Sequence, residues 1–373
     1  MATEKDPVVL LGGGRWARVI LSVLTDLDRV RQVIWVTRHG FEENQRWLAT
    51  EGSSSVTVQS PDVSFWNQNP SAVIIAVQTW RHAALLQEAI ENQVPALCEK
   101  PFALDYGQAQ HLVQLAQDKG TIAGVNLEFL YASYLHDFKN ALALQALRTV
   151  HIDWQDPIFE IRHGQKKFGD VYTPLVHDSL PHCWSLLHVL TEETHVNLEH
   201  LDFSEDGQIT LTGTCNATNV KITLNRRGVS RVRRVSVNEG EAVLDFSQEP
   251  GTMQLFGNAP TTNEWRVGRP LRASLCAFFD AIENPSEHFP ASVQNCLPSV
   301  ALSQDAFNRS QSLLRQKLLE LDRKGSLSAD EPYVQNLLVD LLVPQLETRP
   351  DVHSREKLVA FSTNAINDRL WDR

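Results

Sequence analysis

Three titratable residues of this chain occur in sequence contexts suited to proton transfer: Lys100, Asp178 and His182. Lys100 lies between Glu99 and Pro101, directly after a short apolar segment that is typical of a buried strand. A lysine at the carboxyl end of such a strand is partly desolvated, which lowers its pKa, so it can exchange a proton with a substrate oxygen or nitrogen. Taken alone, Glu-Lys-Pro is more typical of a salt-bridged turn than of a site.

Asp178 and His182 are four residues apart, so in a helix they share one face. His182 could act as a general acid or base or bind a substrate, with Asp178 orienting its ring or contacting the substrate directly. Pro181 requires the helix to begin nearby, since proline is tolerated in the first turn. A metal site is the competing interpretation, but no third ligand has a suitable spacing. His163 and His188 are interpreted as structural residues.

A glycine-rich turn follows the first apolar segment of the chain. Its sequence, Gly12-Gly13-Gly14-Arg15-Trp16-Ala17, fits the pattern G-x-G-x-x-G/A. In that pattern Gly12 permits the tight turn, Gly14 lets a pyrophosphate approach the backbone, and Ala17 lets the next helix pack on the sheet. Free N–H groups at the start of that helix would bind the phosphates. The turn predicts a dinucleotide site, and a glycine turn without a ligand is the alternative.

The end of the second apolar segment indicates which dinucleotide is bound. An NAD site usually has an acidic residue there, which accepts a hydrogen bond from the ribose 2′-hydroxyl. This chain has Thr37, Arg38 and His39 instead. Thr37 can donate to a 2′-phosphate, and Arg38 can bind it through two hydrogen bonds. We therefore expect NADP(H) rather than NAD(H), unless Arg38 is an ordinary solvated loop residue.

The elements that would position these residues alternate between strand and helix as far as residue 125. Apolar runs predict strands at Val8–Leu11, Val33–Val36, 56–58, 73–77, 96–98 and 121–125. Amphipathic stretches predict helices at about 16–27, 42–49, 80–92 and 106–118. Continuous apolar runs are typical of parallel strands that are buried on both faces. The predicted fold class is α/β, with an N-terminal Rossmann doubly wound parallel sheet.

The pattern changes after about residue 126. Alternating segments such as 208–212 and 220–224 predict antiparallel strands with one solvated face. Helices are predicted at 133–147, 181–190, 271–282 and about 299–319, with a polar linker at 322–331. The tail after it carries an apolar helical stripe that must dock on another surface. We expect three parts: a Rossmann NAD(P)-binding domain at 1–126, a substrate-binding and oligomerisation α+β domain with an open, mostly antiparallel sheet at 127–325, and a helical C-terminal extension at 326–373.

Length and charge exclude several classes of protein. The chain has 373 residues, and its 34 Lys and Arg against 45 Asp and Glu give a formal net charge of −11. Nucleic acids and anionic membranes need a basic surface, so we expect neither as a partner. The five cysteines are scattered and form no C-x-x-C pair, which argues against a disulfide scaffold or a zinc ribbon. We expect a cytoplasmic protein that acts on a small molecule, without a metal, leader or membrane span.

One basic run, residues 226–234, needs a separate interpretation because it could mark a nucleic-acid surface. Arg231, Val232 and Arg233 alternate as on a strand with one wet face. No aromatic residue is interleaved with the arginines. We therefore predict a solvated strand or a strand at a subunit interface.

Taken in order, these motifs resemble those of the Gfo/Idh/MocA family, which comprises glucose–fructose oxidoreductase, inositol dehydrogenase and rhizopine-catabolism proteins. The resemblance rests on the glycine turn, on the run 73–77 followed by His82, on Glu99-Lys100-Pro101 and on Asp178-x-x-x-His182, and it extends from about residue 7 to about residue 320. It implies a Rossmann domain and a C-terminal α/β domain whose open sheet commonly makes oligomer contacts. It further implies NAD(H) or NADP(H) between the domains, a catalytic Lys100 and a cis Lys100–Pro101 bond.

The motifs and the resemblance together assign residues to each role. Lys100, Asp178 and His182 are expected to be catalytic. Cofactor contacts are expected from Gly12, Gly13, Gly14, Arg15, Trp16, Thr37, Arg38, Val77, Gln78, His82, Glu99 and Lys100. Substrate contacts are expected from Lys100, Trp154, Asp178 and His182. We also expect a homo-oligomer, either a dimer or a tetramer.

Departures from the family pattern bear on the substrate. Leu180 stands where sugar-handling relatives usually have a glycine, and the segment 172–176 also lacks the glycines that precede it in those relatives. Trp154 and Trp184 would add flat apolar surface if they lay near the cleft, whereas both are equally compatible with a place in the core. A simple sugar is therefore in doubt, and a bulkier or less polar carbonyl or imine is the alternative.

Three functions remain open at this point. In the first, an NADP(H)-dependent oxidoreductase moves a hydride to or from a carbonyl/alcohol pair, with Lys100 exchanging the proton and His182 assisting. In the second, the same machinery reduces a C=N bond, as some relatives in natural-product pathways do. In the third, the chain is a non-catalytic NADP-binding regulator or scaffold. The joint presence of Lys100, Asp178 and His182 favours an enzyme.

Overall fold

The computed structural model describes residues 7–38, 40–51, 54–62, 64–142, 145–157, 159–162, 165–168, 173–204, 207–262, 268–342 and 355–372. His39, His163 and Tyr172 lie outside the described residues. The chain forms two compact units. The first comprises Met1–Ala132 and Val267–Val300, and the second comprises Ser133–Arg266 and Ala301–Arg373.

As far as residue 126 strands and helices alternate as predicted, whereas the strands between residues 149 and 168 were not predicted from the sequence. The strands are β1 (Val8–Leu11), β2 (Val33–Val36), β3 (Val56–Gln59), β4 (Ala72–Ile75), β5 (Ala96–Glu99), β6 (Ala123–Asn126), β7 (Thr149–Pro157), β8 (Phe159–Arg162), β9 (Gln165–Phe168), β10 (Asn197–Phe203), β11 (Ile209–Cys215), β12 (Thr218–Gly228), β13 (Val232–Val237), β14 (Ala242–Asp245), β15 (Thr252–Leu255) and β16 (Thr261–Thr262). The helices are α1 (Arg15–Thr25), α2 (Phe41–Glu51), α3 (His82–Glu91), α4 (Tyr106–Lys119), α5 (Ser133–Leu142), α6 (Leu175–Thr191), α7 (Pro270–Glu283), α8 (Val293–Arg323), α9 (Pro332–Leu341) and α10 (Arg355–Asn367).

A six-stranded parallel sheet forms the centre of the first unit. Its strands are ordered β3-β2-β1-β4-β5-β6, which is the order of a Rossmann fold. All residues of β1, β2, β4, β5 and β6 are buried, as expected for parallel strands covered on both faces. The predicted fold class is confirmed. Because the order reverses between β1 and β4, the carboxyl ends of these strands flank the crevice where such folds bind nucleotides.

A helix from far along the chain, α7, completes the first unit. Its residues Leu271, Leu275 and Phe278 belong to the same buried cluster as the residues of β1, β2 and α1. In addition, the Val125 amide donates to the Ala291 carbonyl oxygen at 2.8 Å. These contacts explain why residues 267–300 pack with the Rossmann sheet, although the sequence pattern suggested a single boundary near residue 126 and assigned these residues to the second domain.

The second unit contains an eight-stranded mixed sheet, ordered β10-β11-β12-β7-β13-β14-β15-β16. Every neighbouring pair is antiparallel except β12 and β7, which run parallel. In β7 the buried residues Val150, Ile152 and Trp154 alternate with half-buried ones. This alternation is typical of a sheet with one covered face. The predicted second sheet, open and mostly antiparallel, is confirmed.

In the C-terminal segment, α9 and α10 pack on the second half of α8. Leu314 and Leu318 of α8 share a buried cluster with Leu337 and Leu338 of α9 and with Phe361 of α10. The apolar stripe predicted in this segment therefore packs within the second unit, on α8 and α10. The connection between α8 and α9 is shorter than the linker predicted at 322–331, because α8 continues to residue 323.

Two further properties of the described part of the chain bear on function. Within the described ranges, no helix combines the length and the apolar character that a membrane crossing requires. Over the same ranges, no three His, Cys, Asp or Glu side chains form a group able to hold a metal ion. All five cysteines have free thiols.

Candidate functional site

The glycine turn joins β1 to α1 at the carboxyl edge of the first sheet. Gly12 has a φ of +133°, and a Cβ at this position would lie 2.1 Å from the carbonyl oxygen of Ala76, so only glycine fits. A Cβ on Gly14 would meet nothing within 4 Å. Gly14 is the N-cap of α1 and has no side chain to bind the N–H groups of the first turn. This open edge beside helix N–H groups fits the pyrophosphate of a dinucleotide.

Glu99, at the end of β5, is buried and accepts hydrogen bonds from two side chains. The indole Nε1 of Trp16 and the amide Nδ2 of Asn126 each lie 2.6 Å from Glu99 Oε1. Ser274 Oγ in turn donates to Asn126 Oδ1 at 2.8 Å. Burial raises the pKa of Glu99, while the two donors and the charge of Lys100 lower it in part. The network fixes the start of α1 relative to β5, the strand that directly precedes Lys100.

Lys100 is held by a tightly packed turn. Every residue of the segment 96–103 is buried except Lys100, which is half-buried. The Lys100–Pro101 bond is cis, as the resemblance implies. The ring of His82 lies against the same turn, with Nδ1 2.8 Å from the Pro101 carbonyl oxygen and Nε2 3.0 Å from that of Val77. A neutral ring donates to one of these two oxygens, and the ring of His82 packs between the turn after β4 and the turn after β5.

Thr37 and Arg38 follow β2 and differ in accessibility. The Thr37 side chain is buried, and its hydroxyl accepts a hydrogen bond from Asn44 Nδ2 at 3.2 Å. The same nitrogen lies 3.3 Å from the carbonyl oxygen of Gly13, so Asn44 ties this turn to the glycine turn. Arg38 is exposed. Of the two residues predicted to recognise a 2′-phosphate, Arg38 is thus the accessible one, and Thr37 is engaged in positioning the loop.

The other predicted cofactor contacts lie on the same carboxyl edge of the sheet. Gln78 is exposed and follows β4 by a few residues, whereas Arg15 and Val77 are half-buried. Because Arg15 begins α1 after β1, and Val77 and Gln78 follow β4, these residues border the crevice that the strand order creates.

In the second unit, α6 carries the predicted pair of acid and base. From residue 175 to residue 187 every residue of α6 is buried except Asp178 and His182, which are half-buried. The expected helix start near Pro181 is wrong: α6 begins at Leu175, and Pro181 lies inside it. An interior proline costs about 3 kcal/mol, which the burial of nearly the whole helix offsets. The pair therefore occupies one accessible face of a buried helix.

The ring of His182 packs on Trp154 of β7. The two rings stack with centroids 4.9 Å apart and an interplanar angle of 20°. The guanidinium carbon of Arg233 lies 3.7 Å from the centroid of the same indole. Arg233 faces Trp154 directly across the β7–β13 pair and binds Asp156 Oδ1 at 2.6 Å. Trp154 is only 3% exposed, so its indole packs against His182 and orients that ring, and little of the indole surface is accessible.

Trp184, the second tryptophan considered for the cleft, is a core residue. It is 1% exposed and donates to the Thr194 carbonyl oxygen at 2.8 Å. Its indole stacks on His188 at 5.1 Å. His188 Nδ1 lies 3.0 Å from the Glu193 carbonyl oxygen, which agrees with the structural role predicted for His188.

The basic run differs from its prediction as a wet strand. Arg233 is 4% exposed. Arg226 donates to the Thr173 carbonyl oxygen at 2.8 Å, and Arg231 donates to that of Ser247 at 2.7 Å. The prediction of a solvated strand is wrong for Arg233, which is buried and finds carbonyl and carboxylate acceptors within its own unit, whereas Arg226 and Arg231 are half-buried and Arg234 is exposed. The alternative of a strand at a subunit interface stays a prediction.

Sequence reasoning missed several residues that support the predicted site residues: Asn44 and Asn126 in the first unit, and Arg226, Arg233 and Asp340 in the second. Asn126 could have been found, since it ends β6 at the same sheet edge as Glu99. Arg233 could not have been found, because its pairing with Trp154 depends on the register between β7 and β13. No signal in the sequence connects Asp340 with α6, because 165 residues separate Asp340 from its hydrogen-bond partner Leu175.

Comparison with known proteins agrees with this architecture. Residues 7–127 match the model of the Gfo/Idh/MocA oxidoreductase family, described as an NAD-binding Rossmann fold. Inositol 2-dehydrogenase 1 of Paenarthrobacter aurescens strain TC1 is 38% identical over 119 residues, which are 32% of this chain and 35% of that protein. The match thus spans about a third of the length of this curated relative.

Solved structures resemble a larger part of the chain. A Gfo/Idh/MocA family oxidoreductase from Vibrio cholerae superposes with a TM-score of 0.64 at 16% identity, covering 82% of this chain and 99% of that one. KijD10, a 3-ketoreductase from Actinomadura kijaniata in complex with TDP-benzene and NADP, has a TM-score of 0.64 at 14% identity, covering 81% of this chain and 96% of that one. At these identities the likeness establishes the fold.

Proposed function

We propose that this chain is an NADP(H)-dependent oxidoreductase that transfers a hydride to or from a small-molecule carbonyl or alcohol, on the premise that residues 7–127 belong to the Gfo/Idh/MocA oxidoreductase family. One observation carries the proposal. Lys100, Asp178 and His182 are the accessible residues of segments that are otherwise buried. Titratable groups kept accessible within rigid, buried surroundings are typical of catalytic sites.

The cofactor would be held at the carboxyl edge of the first sheet. The open backbone at Gly14 and the N–H groups of α1 suit the pyrophosphate. Arg38 is an exposed cation at the end of β2, where a carboxylate would favour NAD(H), and it suits the 2′-phosphate of NADP(H). When bound, the nicotinamide supplies or accepts the hydride.

Lys100 would move the proton that accompanies the hydride. Its ammonium group donates a proton to the carbonyl oxygen when the carbonyl is reduced, and the neutral amine accepts one from the hydroxyl in the reverse direction. His82 and the Glu99 network keep the surrounding turn fixed, so the ammonium group is positioned before the substrate arrives.

Asp178 and His182 would bind the substrate hydroxyl or carbonyl groups. Stacking on Trp154 restricts the imidazole of His182 to one plane, which sets the direction of its N–H groups. The half-buried carboxylate of Asp178 accepts hydrogen bonds from hydroxyl groups on the same helix face. This pair suits a polyol or a sugar derivative, which is the class that the names of the relatives indicate for those proteins.

The test is a panel of substrates in which the carbonyl and imine probes are assayed with NADPH deuterated at C4, and the alcohol probes are deuterated on their carbinol carbons and assayed with NADP⁺. The probes are myo-inositol, a nucleotide-linked sugar, cyclohexanone and the cyclic imine 1-pyrroline. We expect deuterium transfer to or from at least one oxygen-bearing probe, detected by mass spectrometry, and its loss in Lys100→Ala. Transfer to 1-pyrroline alone would replace the carbonyl assignment with an imine reductase. Tight NADPH binding without transfer to any probe would contradict the enzyme assignment.

A further inference from the structure

The helix that carries Asp178 and His182 begins without a capping side chain of its own. Its N-cap residue is Pro174, which makes no side-chain cap hydrogen bond. Several N–H groups in the first turn of a helix have no partner within the helix, so a helix that starts inside the protein needs an acceptor from elsewhere.

That acceptor comes from the C-terminal segment. Asp340, in the last turn of α9, accepts a hydrogen bond through Oδ1 from the amide nitrogen of Leu175 at 3.0 Å. The Asp340 side chain is buried, and α9 is anchored by the apolar cluster that it forms with α8 and α10. Gln311 of α8 donates to the Asp340 carbonyl oxygen at 3.1 Å, which fixes the end of α9.

A half-buried arginine completes the junction. Arg226 Nη2 lies 3.8 Å from Asp340 Oδ1 and donates to the carbonyl oxygen of Thr173 at 2.8 Å. The arginine thus links the carboxylate to the turn that leads into α6. A carboxylate at a helix N-terminus also interacts favourably with the helix dipole.

Asp340 interacts electrostatically with Asp178, which lies on the accessible face of α6. Burial raises the pKa of Asp340, the Arg226 charge and the Leu175 amide lower it, and the charge of Asp178 raises it. Electrostatic coupling between two carboxylates is mutual, so Asp340 and Asp178 act on each other across the first turn of α6.

We propose that Asp340 is a positioning residue for the site: the C-terminal segment caps α6 through it and sets the placement of Asp178 and His182. The proposal rests on the proposed function only for the role of those two residues. It makes the C-terminal segment part of the substrate-binding machinery of this chain rather than an appendage.

The experiment compares full-length variants. Asp340→Ala removes the acceptor, whereas Asp340→Asn keeps an oxygen for the Leu175 amide and removes the charge. Leu338→Ala is the control, since Leu338 lies in the same helix within the apolar cluster and has no hydrogen-bond role toward α6 in the described contacts. Each protein is measured by hydrogen–deuterium exchange of the segment 173–179 and by steady-state kinetics with the probe that the panel selects.

We expect Asp340→Ala to speed exchange in the segment 173–179 and to raise the KM of the probe by about tenfold, as for the loss of one hydrogen bond to a charged group. The dissociation constant of NADPH should change by less than about twofold. Asp340→Asn should restore most of the protection. Leu338→Ala should speed exchange mainly in α9 and α10, and its effects on the KM and on the segment 173–179 should be smaller than those of Asp340→Ala, because the Asp340 carboxylate remains.

Equal effects of Asp340→Ala and Leu338→Ala on the segment 173–179 would overturn the proposal, because the C-terminal segment would then act only through general stability. The same conclusion follows if Asp340→Ala weakens NADPH binding as much as it raises the KM. The exchange measurement needs no substrate. If no probe turned over while the exchange pattern followed the expectation, the proposed function would fail and the capping role would stand.

Discussion

Replacing Arg38 by alanine should change the preference of the protein between its two candidate cofactors. Arg38 is exposed at the end of β2, so its interaction with a 2′-phosphate takes place in a high dielectric. Two unit charges about 4 Å apart in water interact by about 1 kcal/mol, and a phosphate carrying nearly two charges gives about 1.5 to 2 kcal/mol. Because about 1.4 kcal/mol corresponds to a tenfold change, we expect Arg38→Ala to weaken NADPH about ten- to thirtyfold.

The assay is a fluorescence titration of NADPH and of NADH against the wild type and the variant at fixed salt. NADH lacks the 2′-phosphate, so its dissociation constant should change by less than about twofold. Arg31→Ala is the matched control, because Arg31 is an exposed arginine just before the same strand, at the opposite edge of the sheet. That variant should bind both cofactors as the wild type does, although it loses the same charge.

A second readout is the salt dependence of binding. An exposed ion pair is screened by salt, so raising the ionic strength should weaken NADPH more in the wild type than in Arg38→Ala. Equal losses for NADPH and NADH in Arg38→Ala would contradict a contact between Arg38 and the 2′-phosphate, and so would a loss in Arg31→Ala as large as that in Arg38→Ala. Either result would leave Arg38 as a loop residue and reopen the choice of NAD(H).

Two further variants test the supports of the site. Trp154→Phe should raise the KM of the substrate several-fold while NADPH binding is unchanged, because His182 loses part of its stacking partner. The control is Trp184→Phe, which alters a buried tryptophan stacked on another histidine and should leave the KM unchanged. A higher KM in Trp184→Phe with an unchanged KM in Trp154→Phe would contradict the role of Trp154. Burial lowers the pKa of His82, so the unfolded chain binds a proton there first as the pH falls through about 6.5. The stability that neutral His82 confers is thus lost on acidification. As the pH falls through this range, the melting temperature of His82→Gln should decrease less than that of the wild type. An equal decrease in the two proteins would contradict the expected direction.

The first unit could be predicted almost completely from the sequence, because local patterns determine it. Strands such as β4 are continuous apolar runs, and such runs are typical of buried parallel strands. The glycine turn could be interpreted from its residues, since Gly12 is required by the approach of the Ala76 carbonyl. The contribution of α7 could not be predicted, because it depends on packing between segments that are distant in the chain.

The site in the second unit could be predicted only in part. The spacing of Asp178 and His182 gave their shared face, but Pro181 suggested the wrong helix start. Local propensity disfavours an interior proline, whereas the burial of α6 in the unit outweighs that cost. Arg233 was predicted to lie on a strand that is solvated or at a subunit interface, and only the register between β7 and β13 reveals its pairing with Trp154.

The measurement that tests the account most directly is the turnover of Lys100→Ala with NADPH and the best probe, followed by the nicotinamide absorbance, together with the affinity of the variant for NADPH. We expect turnover to fall by about a hundredfold or more, as for the loss of a general acid, while NADPH still binds with its original affinity. Turnover that persisted at the wild-type rate in this variant would remove Lys100 from the chemistry and contradict the account.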